Sequence, residues 1–342
     1  MKTVNLALQG GGSHGAFTWG VLDRILEEDR LWIDAISGTS AGAMNAVVAA
    51  QGMYDGQAEG ARRALHDFWY AVAEAGKGSP IRRSPLDVLF GNWSLDTSPS
   101  YLAADLFSRI ASPYETNPLN MHPLRDLLDQ HIDFDKVRCC NDLGLYLSAT
   151  NVETGRVRVF KRDEIHRDVV LASACLPHMF QAVEIDGSHY WDGGYMGNPV
   201  LFPFIDESPS ADIVIIQINP VVRPGVPKTA REIANRVNEI TFNASLLREL
   251  RAIDFVDRLK SDGYLPDAYR QMRIHMIEGR KRMRPLGASS KLNTEWAFLR
   301  HLFDIGRDAA DRWLGRNFDS IGEASTVNVR AMFQGLGARH HG

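Results

Sequence analysis

Four glycines stand within six positions near the start of the chain, in the segment QGGGSHG at residues 9–15. The segment follows the apolar run KTVNLAL and precedes a run with helical periodicity. Backbone N–H groups at such a junction bind negative charge, because they are unpaired and the helix dipole adds to them. The spacing of Gly10, Gly12 and Gly15 also matches the dinucleotide-binding pattern G-x-G-x-x-G. The segment predicts an anion site, either for a nucleotide or for charge that develops during a reaction.

The other residues that a nucleotide site requires do not follow the glycines. A dinucleotide site needs an acidic side chain at the end of the second strand. The second strand, WIDAISG at 32–38, has Asp34 near its start and is followed by Ser40 instead. A phosphate loop would need Gly-Lys-Ser/Thr after its glycines, which this chain lacks there. Dinucleotide binding therefore stays an alternative that rests on glycine spacing alone.

Ser40 lies in GTSAG at 38–42, between the strand at 32–38 and the helical segment SAGAMNAVVAAQGM at 40–53. The pattern G-x-S-x-G at a strand-to-helix turn is typical of a nucleophile elbow, which exposes a serine hydroxyl at the carboxyl edge of a sheet. Gly38 and Gly42 leave room where a side chain would collide with neighbouring backbone. We therefore expect Ser40 to be a nucleophile.

A serine nucleophile needs donors for the oxyanion of its tetrahedral intermediate. If the first two strands are neighbours in a parallel sheet, their carboxyl ends lie side by side, and the glycine segment and Ser40 share one crevice. The physics that would hold a phosphate would then hold an oxyanion. The residues expected to form this oxyanion hole are Gly10, Gly11, Gly12, Ser13 and Gly15.

The serine also needs a base. An ordinary Ser-Asp-His hydrolase would use a late histidine, and His275 and His301 are the candidates, but neither has a flanking loop signature. The segment WDGGYMGNP at 191–199 places Asp192 at the end of a short strand, where Gly193 and Gly194 allow a sharp turn. A lone carboxylate can act as the base if its surroundings set its pKa and orientation. Asp192 is the preferred base, and the histidine alternative stays open.

The three motifs, in this order, resemble the patatin-like phospholipases, a family of lipid acyl hydrolases of the calcium-independent phospholipase A2 type. ASACLPHMFQAVEIDG at 172–187 and GNP at 197–199 add to the resemblance, which covers about residues 3–220. It implies a Ser40–Asp192 dyad, an oxyanion hole in the glycine loop, an ester of a lipid as substrate, and no metal or cofactor. His14 departs from the pattern, because the family often has Lys or Arg there. His14 could donate a hydrogen bond to the oxyanion or only hold the loop, and the structural role is the preferred one.

The elements that must position these residues follow a βαβα opening, which indicates a parallel sheet with right-handed crossovers. We expect an α/β fold, a mainly parallel sheet flanked by helices in an α/β/α sandwich, with residues 1–220 as the acyl hydrolase domain. Residues 221–342 are expected to form a mostly helical extension packed on it. Further strands are predicted at 143–160, 182–194, 212–220 and 272–278, further helices at 58–75, 122–132, 167–177, 228–260 and 292–315, and an irregular insertion at 76–120.

Composition narrows the class of protein. A net charge of -4 over 342 residues argues against nucleic acid as a partner, although RKRMR at 280–284 leaves anionic lipid headgroups open. The three cysteines, Cys139, Cys140 and Cys175, form no disulfide framework, which favours a reducing, cytoplasmic location. Contact with a membrane or lipid surface, a homo-oligomer and a catalytically weak lipid-binding scaffold remain alternatives to a freely soluble enzyme.

Overall fold

The computed structural model describes residues 1–108, 110–266 and 269–334. Its strands are β1 Lys2–Leu8, β2 Leu31–Gly38, β3 Gly144–Asn151, β4 Val157–Lys161, β5 Val183–Ile185, β6 Ser188–Asp192, β7 Asp212–Gln217 and β8 Arg273–Glu278. Across these described ranges the eight strands form one sheet in the order β5-β6-β3-β2-β1-β7-β8, with β4 paired to β3. The strands from β3 to β8 along this order are parallel, and β4, β5 and β6 are antiparallel additions. The prediction of a mainly parallel sheet is confirmed.

Helices cover both faces of this sheet. They are α1 Gly15–Leu26, α2 Ala41–Gly76, α3 Pro85–Leu89, α4 Pro99–Ser108, α5 Pro113–Thr116, α6 Pro123–His131, α7 Phe134–Cys139, α8 Arg167–Ser173, α9 Phe202–Glu207, α10 Ala230–Ser261, α11 Arg280–Met283, α12 Trp296–Asn317 and α13 Val329–Gln334. α2 is broken at Gly56 and Gln57, whose backbone is not helical, so it corresponds to the two helices predicted at 40–53 and 58–75.

Two apolar cores lie on opposite sides of the sheet, because side chains alternate along a strand. Leu6 and Leu8 of β1 belong to the larger core, with the buried faces of α1, α2 and α12. Ala7 belongs to the second core, with Phe204 of α9 and Leu250 of α10. The fold is therefore the expected α/β/α sandwich with a helical C-terminal region, and that region also contributes β8 to the sheet.

The prediction of an irregular insertion at 76–120 is wrong in part. Within the described part of this segment, short helices begin at Pro85, Pro99 and Pro113. Proline ends a helix that precedes it, but it is well suited to the first turn, where its missing N–H would be unpaired in any case. The prolines that suggested irregular structure are thus helix starts.

Two further details differ from expectation, namely the end of α8 and the exposure of one face of α10. α8 ends at Ser173 rather than Pro177, since Ala174 has left the helical conformation at φ -112° and ψ 11°. The apolar face of the helix predicted at 228–260 is expected to pack on the hydrolase domain or to face a membrane or a second copy, and its residues Ile233, Val237 and Ile240 are exposed. The N-terminal half of α10 instead buries Glu239 and other polar groups against the loops at the carboxyl edge of the sheet. The division at residue 220 stays a prediction, and residues 335–342 of that extension lie outside the described residues.

The crossing of α1 and α12 fixes the helix that follows the glycine loop. A Cβ on Gly20 would lie 2.0 Å from the carbonyl oxygen of Phe303, and one on Gly306 would lie 2.1 Å from that of Phe17. The two backbones therefore approach more closely than any side chain at these positions would allow. Because α1 begins at Gly15, this contact also holds the loop before it.

Gly20→Ala should destabilise the protein, because the new methyl group would force α1 and α12 apart. We expect the free energy of unfolding in urea to fall by about 1–3 kcal/mol, the usual range for overpacking. Gly315→Ala is the matched control on α12, since a Cβ there meets nothing within 4 Å. It should raise stability by about 0.5–1 kcal/mol through helix propensity. Equal effects of the two substitutions would contradict this account of the crossing.

Candidate active site

The register of β1 and β2 brings the glycine loop to Ser40. Leu8 pairs with Gly38, so the loop and the elbow leave the sheet from adjacent positions. The Thr39 N–H donates to the Leu8 carbonyl oxygen at 3.3 Å. A Cβ on Gly10 would lie 2.8 Å from the Cβ of Ser40, so the two backbones are in contact. The loop and the serine thus share one crevice, as the motif spacing predicts.

Ser40 has the backbone of a strained turn. Its φ of 54° and ψ of -120° lie where non-glycine residues are rarely found. Its N–H donates to the Ser173 hydroxyl oxygen at 2.9 Å, which ties the turn to α8. Gly42 follows at a point where a Cβ would lie 2.3 Å from the Leu8 carbonyl oxygen. This is the geometry of an elbow, and Gly38 precedes it at the end of β2.

Asp192 lies at the same edge of the sheet as Ser40, on the side of β2 opposite to β1. Gly38 pairs with Leu147 of β3, and Ala149, two residues further along β3, pairs with Asp192. The Asp192 N–H donates to the Cys175 carbonyl oxygen at 2.8 Å. Its carbonyl oxygen accepts from the Thr150 hydroxyl at 2.9 Å. The backbone of Asp192 is therefore held on both sides, with its side chain next to Ser40.

Burial controls the acidity of Asp192. The residue is 1% exposed, and its Oδ1 accepts from the Gly194 N–H at 2.7 Å. Burial raises the pKa of this carboxyl to about 6, against the opposing effects of the Gly194 N–H, the Ser40 side chain and the charge of Lys291. Asp192 is thus ionised at neutral pH, but it is a stronger base than an exposed carboxylate, as a proton acceptor should be. Gly193, which carries the turn, lies against the backbone of Ser148.

The N–H groups of the glycine loop divide into two sets. Gly10 N–H donates to Asn198 Oδ1 at 2.7 Å, and Gly15 N–H donates to the carbonyl oxygens of Gly12 and Ser13. Within the described ranges, the N–H groups of Gly11, Gly12 and Ser13 have no hydrogen-bond acceptor. Of the five residues expected in an oxyanion hole, these three offer free donors, while Gly10 and Gly15 shape the loop.

A buried polar network fastens this loop. Gln9 accepts from the N–H groups of Ile218 and Asn219 at 2.9 Å each, and Asn219 Nδ2 donates to the Gly10 carbonyl oxygen at 3.0 Å. Asn198 Nδ2 donates to the Phe242 carbonyl oxygen at 3.1 Å, which links the network to α10. Asn198 lies in the GNP segment, so the sequence contained a signal for it. Asn219 has no such signal.

His14 brings no charge to the loop. It is buried, its Nε2 is 2.9 Å from the Ser290 hydroxyl oxygen, and its ring lies edge-on to Phe298. Burial and the nearby charge of Lys291 lower the pKa of His14 to about 3, so it is neutral at pH 7. These contacts agree with the structural role expected for it.

The late histidines are engaged elsewhere. His275 Nε2 is 2.9 Å from Asp212 Oδ1, and Asp212 begins β7, so this pair lies at the amino edge of the sheet, opposite Ser40. His301, on α12, stacks on Trp93. Neither histidine contacts Ser40 or Asp192 through any hydrogen bond in the described residues. The Ser-Asp-His alternative therefore has no support from the contacts.

No cluster of three or more His, Cys, Asp or Glu side chains that would suit a metal ion occurs among the described residues. None of the described helices combines the length and the apolar character that crossing a membrane requires.

The raised pKa of Asp192 predicts a pH dependence of stability. An acid whose pKa is raised from 3.8 to about 6 by folding stabilises the fold in its protonated form. This contribution is present below the unfolded pKa and is lost as the pH rises through the folded pKa. The asparagine of Asp192→Asn cannot ionise, so this variant does not lose that contribution. The difference in unfolding free energy, variant minus wild type, should therefore increase by about 2–3 kcal/mol between pH 4 and pH 7. Urea unfolding at each pH measures this, and parallel curves for the two proteins would contradict it.

Comparison with known proteins places these motifs in a family. The model of the patatin-like phospholipases matches residues 6–205, which include the glycine loop, Ser40 and Asp192. No curated protein matches the chain significantly.

Two solved structures resemble the chain distantly. VipD from Legionella pneumophila is 14% identical with a TM-score of 0.38, over 89% of this chain and 67% of that one. The type III effector protein ExoU is 15% identical with a TM-score of 0.32, over 91% of this chain and 53% of that one, so this chain spans about half the length of that protein. The family model alone matches more than half of the residues. The chain belongs to the patatin-like phospholipase family.

Proposed function

We propose that the protein is a serine lipid acyl hydrolase that cleaves carboxylic esters of lipids through Ser40 and Asp192. The observation that supports this most directly is the placement of Ser40, in a strained elbow, beside a buried carboxylate whose pKa is raised to about 6. Membership of the patatin-like phospholipase family supports a lipid ester as the substrate class.

The reaction proceeds in two halves. Asp192 takes the proton of the Ser40 hydroxyl while Oγ attacks the ester carbonyl carbon, and the N–H groups of Gly11, Gly12 and Ser13 bind the resulting oxyanion. The intermediate collapses, the alkoxy C–O bond breaks, and the leaving oxygen takes the proton from Asp192. Asp192 then accepts a proton from water, whose oxygen attacks the acyl-serine. Collapse of this second intermediate releases the fatty acid and returns the proton to Ser40.

Ser40→Ala and Asp192→Asn should each lower kcat/KM for a p-nitrophenyl acyl ester by about 10³-fold or more, because they remove the nucleophile and its base. Asp186→Asn is the matched control, since this exposed residue lies in the same hairpin as Asp192 and asparagine tolerates its φ of 50°. It should keep wild-type activity. A fluorophosphonate probe should label the wild type and not Ser40→Ala.

Two outcomes would reverse the assignment. If His275→Ala were folded and inactive while Asp192→Asn kept its activity, a histidine would be the base. If folded wild-type protein resisted the fluorophosphonate, a lipid-binding scaffold without turnover would be the better description.

We also propose that the insertion between α2 and α6 contacts the lipid surface. Its exposed apolar side chains include Leu89, Phe90, Leu106, Ile110, Leu119 and Met121. The insertion touches both flanks of the site. Ser94 Oγ is 3.1 Å from Ser289 Oγ beside the loop, and Gln181 Nε2 donates to the Asn117 carbonyl oxygen at 2.8 Å near the segment before Asp192. An apolar surface of this kind beside the site would present a lipid ester to Ser40.

Phe90→Ser combined with Leu119→Ser should weaken sedimentation with phosphatidylcholine vesicles by about tenfold or more, because two large side chains that are 79% and 81% exposed would no longer insert. Hydrolysis of a soluble ester should change less than twofold. Tyr264→Ser is the control, since this exposed side chain follows α10 near the amino edge of the sheet. Unchanged vesicle binding, or an equal loss for the soluble ester, would contradict a lipid-facing insertion.

A further inference from the structure

Lys291 lies against the glycine loop although it is distant from it in sequence. It belongs to a single 3-10 turn, Ser289–Leu292, well beyond residues 6–205 that the family model matches. A Cβ on Gly12 would lie 2.5 Å from the Lys291 carbonyl oxygen and 3.4 Å from its Cβ. Gly12 has a φ of +56°, so both its conformation and this contact require glycine. The lysine backbone therefore forms one wall of the loop that offers the free N–H groups.

The ammonium group of Lys291 reaches into the buried polar network. Its Nζ donates to Asn219 Oδ1 at 2.8 Å and to Asn238 Oδ1 at 3.0 Å. Asn219 in turn holds the Gly10 carbonyl oxygen. An ammonium has three N–H bonds, and the third has no acceptor in the described part of the chain. Lys291 thus holds the loop through one amide and keeps a donor unused.

A second route connects Lys291 to Asp192. The ammonium lies 5.5 Å from the centroid of the Phe242 ring, a cation–π distance. The same ring packs on Gly194, where a Cβ would lie 2.4 Å from Phe242 Cε1. Gly194 donates to Asp192, so the lysine and the carboxylate are separated by one ring and one turn. Lys291 therefore contacts Asn219, which holds the glycine loop, and Phe242, which packs on the turn that holds Asp192.

The charged groups around Lys291 are few. Loss of hydration lowers the pKa of Lys291 to about 8, against the opposing charges of Glu239 and Asp192. Glu239 is itself paired with Arg223 and Arg236, so its charge is largely neutralised. His14 is neutral, as described above. The positive charge of Lys291 is thus only partly balanced by its surroundings, and its partial burial strengthens its effect on neighbouring groups.

We propose that Lys291 is a positioning residue of the active site, whose ammonium orders the oxyanion loop through Asn219 and favours the anionic forms of Asp192 and of the reaction intermediate. This proposal rests on the acyl hydrolase function proposed above. It also assigns a role to the C-terminal region, which completes a site whose motifs all lie earlier in the chain. Because the contacts of Lys291 are with Asn219, Asn238, Phe242 and Gly12 and not with Ser40 or Asp192, it acts through its neighbours.

The dependence of kcat/KM on pH tests the proposal, with a soluble p-nitrophenyl ester as the probe. Wild type should show an acid limb near pH 6, from Asp192, and an alkaline limb near pH 8, as Lys291 loses its charge. Lys291→Arg keeps the charge at high pH, so its alkaline limb should disappear. Lys291→Met should lower kcat at least tenfold with little change in KM, and its acid limb should move to higher pH. Lys281→Met, an exposed lysine of the same region, should match wild type.

The outcomes separate this inference from the function on which it rests. If Ser40→Ala hydrolyses the ester as fast as wild type, the proposed function fails. The pKa of Asp192 can then be obtained from the pH dependence of the difference in unfolding free energy between wild type and Asp192→Asn. The same measurement in the Lys291→Met background should still give a higher pKa for Asp192. Folded Lys291→Met with the wild-type kcat and pH profile would overturn the proposal. If that variant does not fold, Lys291→Arg decides, and an unchanged alkaline limb near pH 8 would overturn it.

Discussion

The register between neighbouring strands is the constraint on which the rest of the site depends. Leu8 lies opposite Gly38, Gly38 opposite Leu147, and Ala149 opposite Asp192, so three distant motifs meet at one edge of the sheet. A slip of one residue would turn every side chain of a strand to the other face. The two apolar cores prevent such a slip, because Leu6 and Leu8 fit one core and Ala7 fits the other.

Two charged groups of the site are held away from bulk water, which costs free energy. Asp192 is buried and Lys291 is partly buried, and a charge removed from water is expensive unless hydrogen bonds or an opposite charge compensate for it. Here amide groups provide much of the compensation. Asn219 and Asn238 accept hydrogen bonds from the ammonium, and the Gly194 N–H donates to the carboxylate. Neutral amides hold these groups in place without cancelling their charges. The charge of Asp192 therefore stays available to the Ser40 proton and the charge of Lys291 to the groups around it, which a tight ion pair would not allow.

Much of the fold and of the candidate site was predictable from local patterns. Strand and helix periodicity predicted the parallel sheet, and the motifs around Ser40 and Asp192 located two of its loops. Proline was misread in the insertion, because the same residue ends one helix and begins another, and only the following residues distinguish the cases. The exposure of Ile233 and Val237 does not follow from the sequence, because periodicity predicts an apolar face without indicating what covers it. Lys291 was missed for a different reason: its position depends on how a distant turn packs on Gly12, and no short motif records that.

The pairing of β7 with β8 bears on how this chain could be shortened. β8 starts at Arg273, yet it covers β7 along its whole length, from Asp212 to Gln217. A fragment that stopped near residue 220 would retain every recognisable motif and expose β7 as an apolar edge strand. Such edges recruit other strands, so the fragment would be prone to aggregate, and insoluble material from it would say nothing about its chemistry.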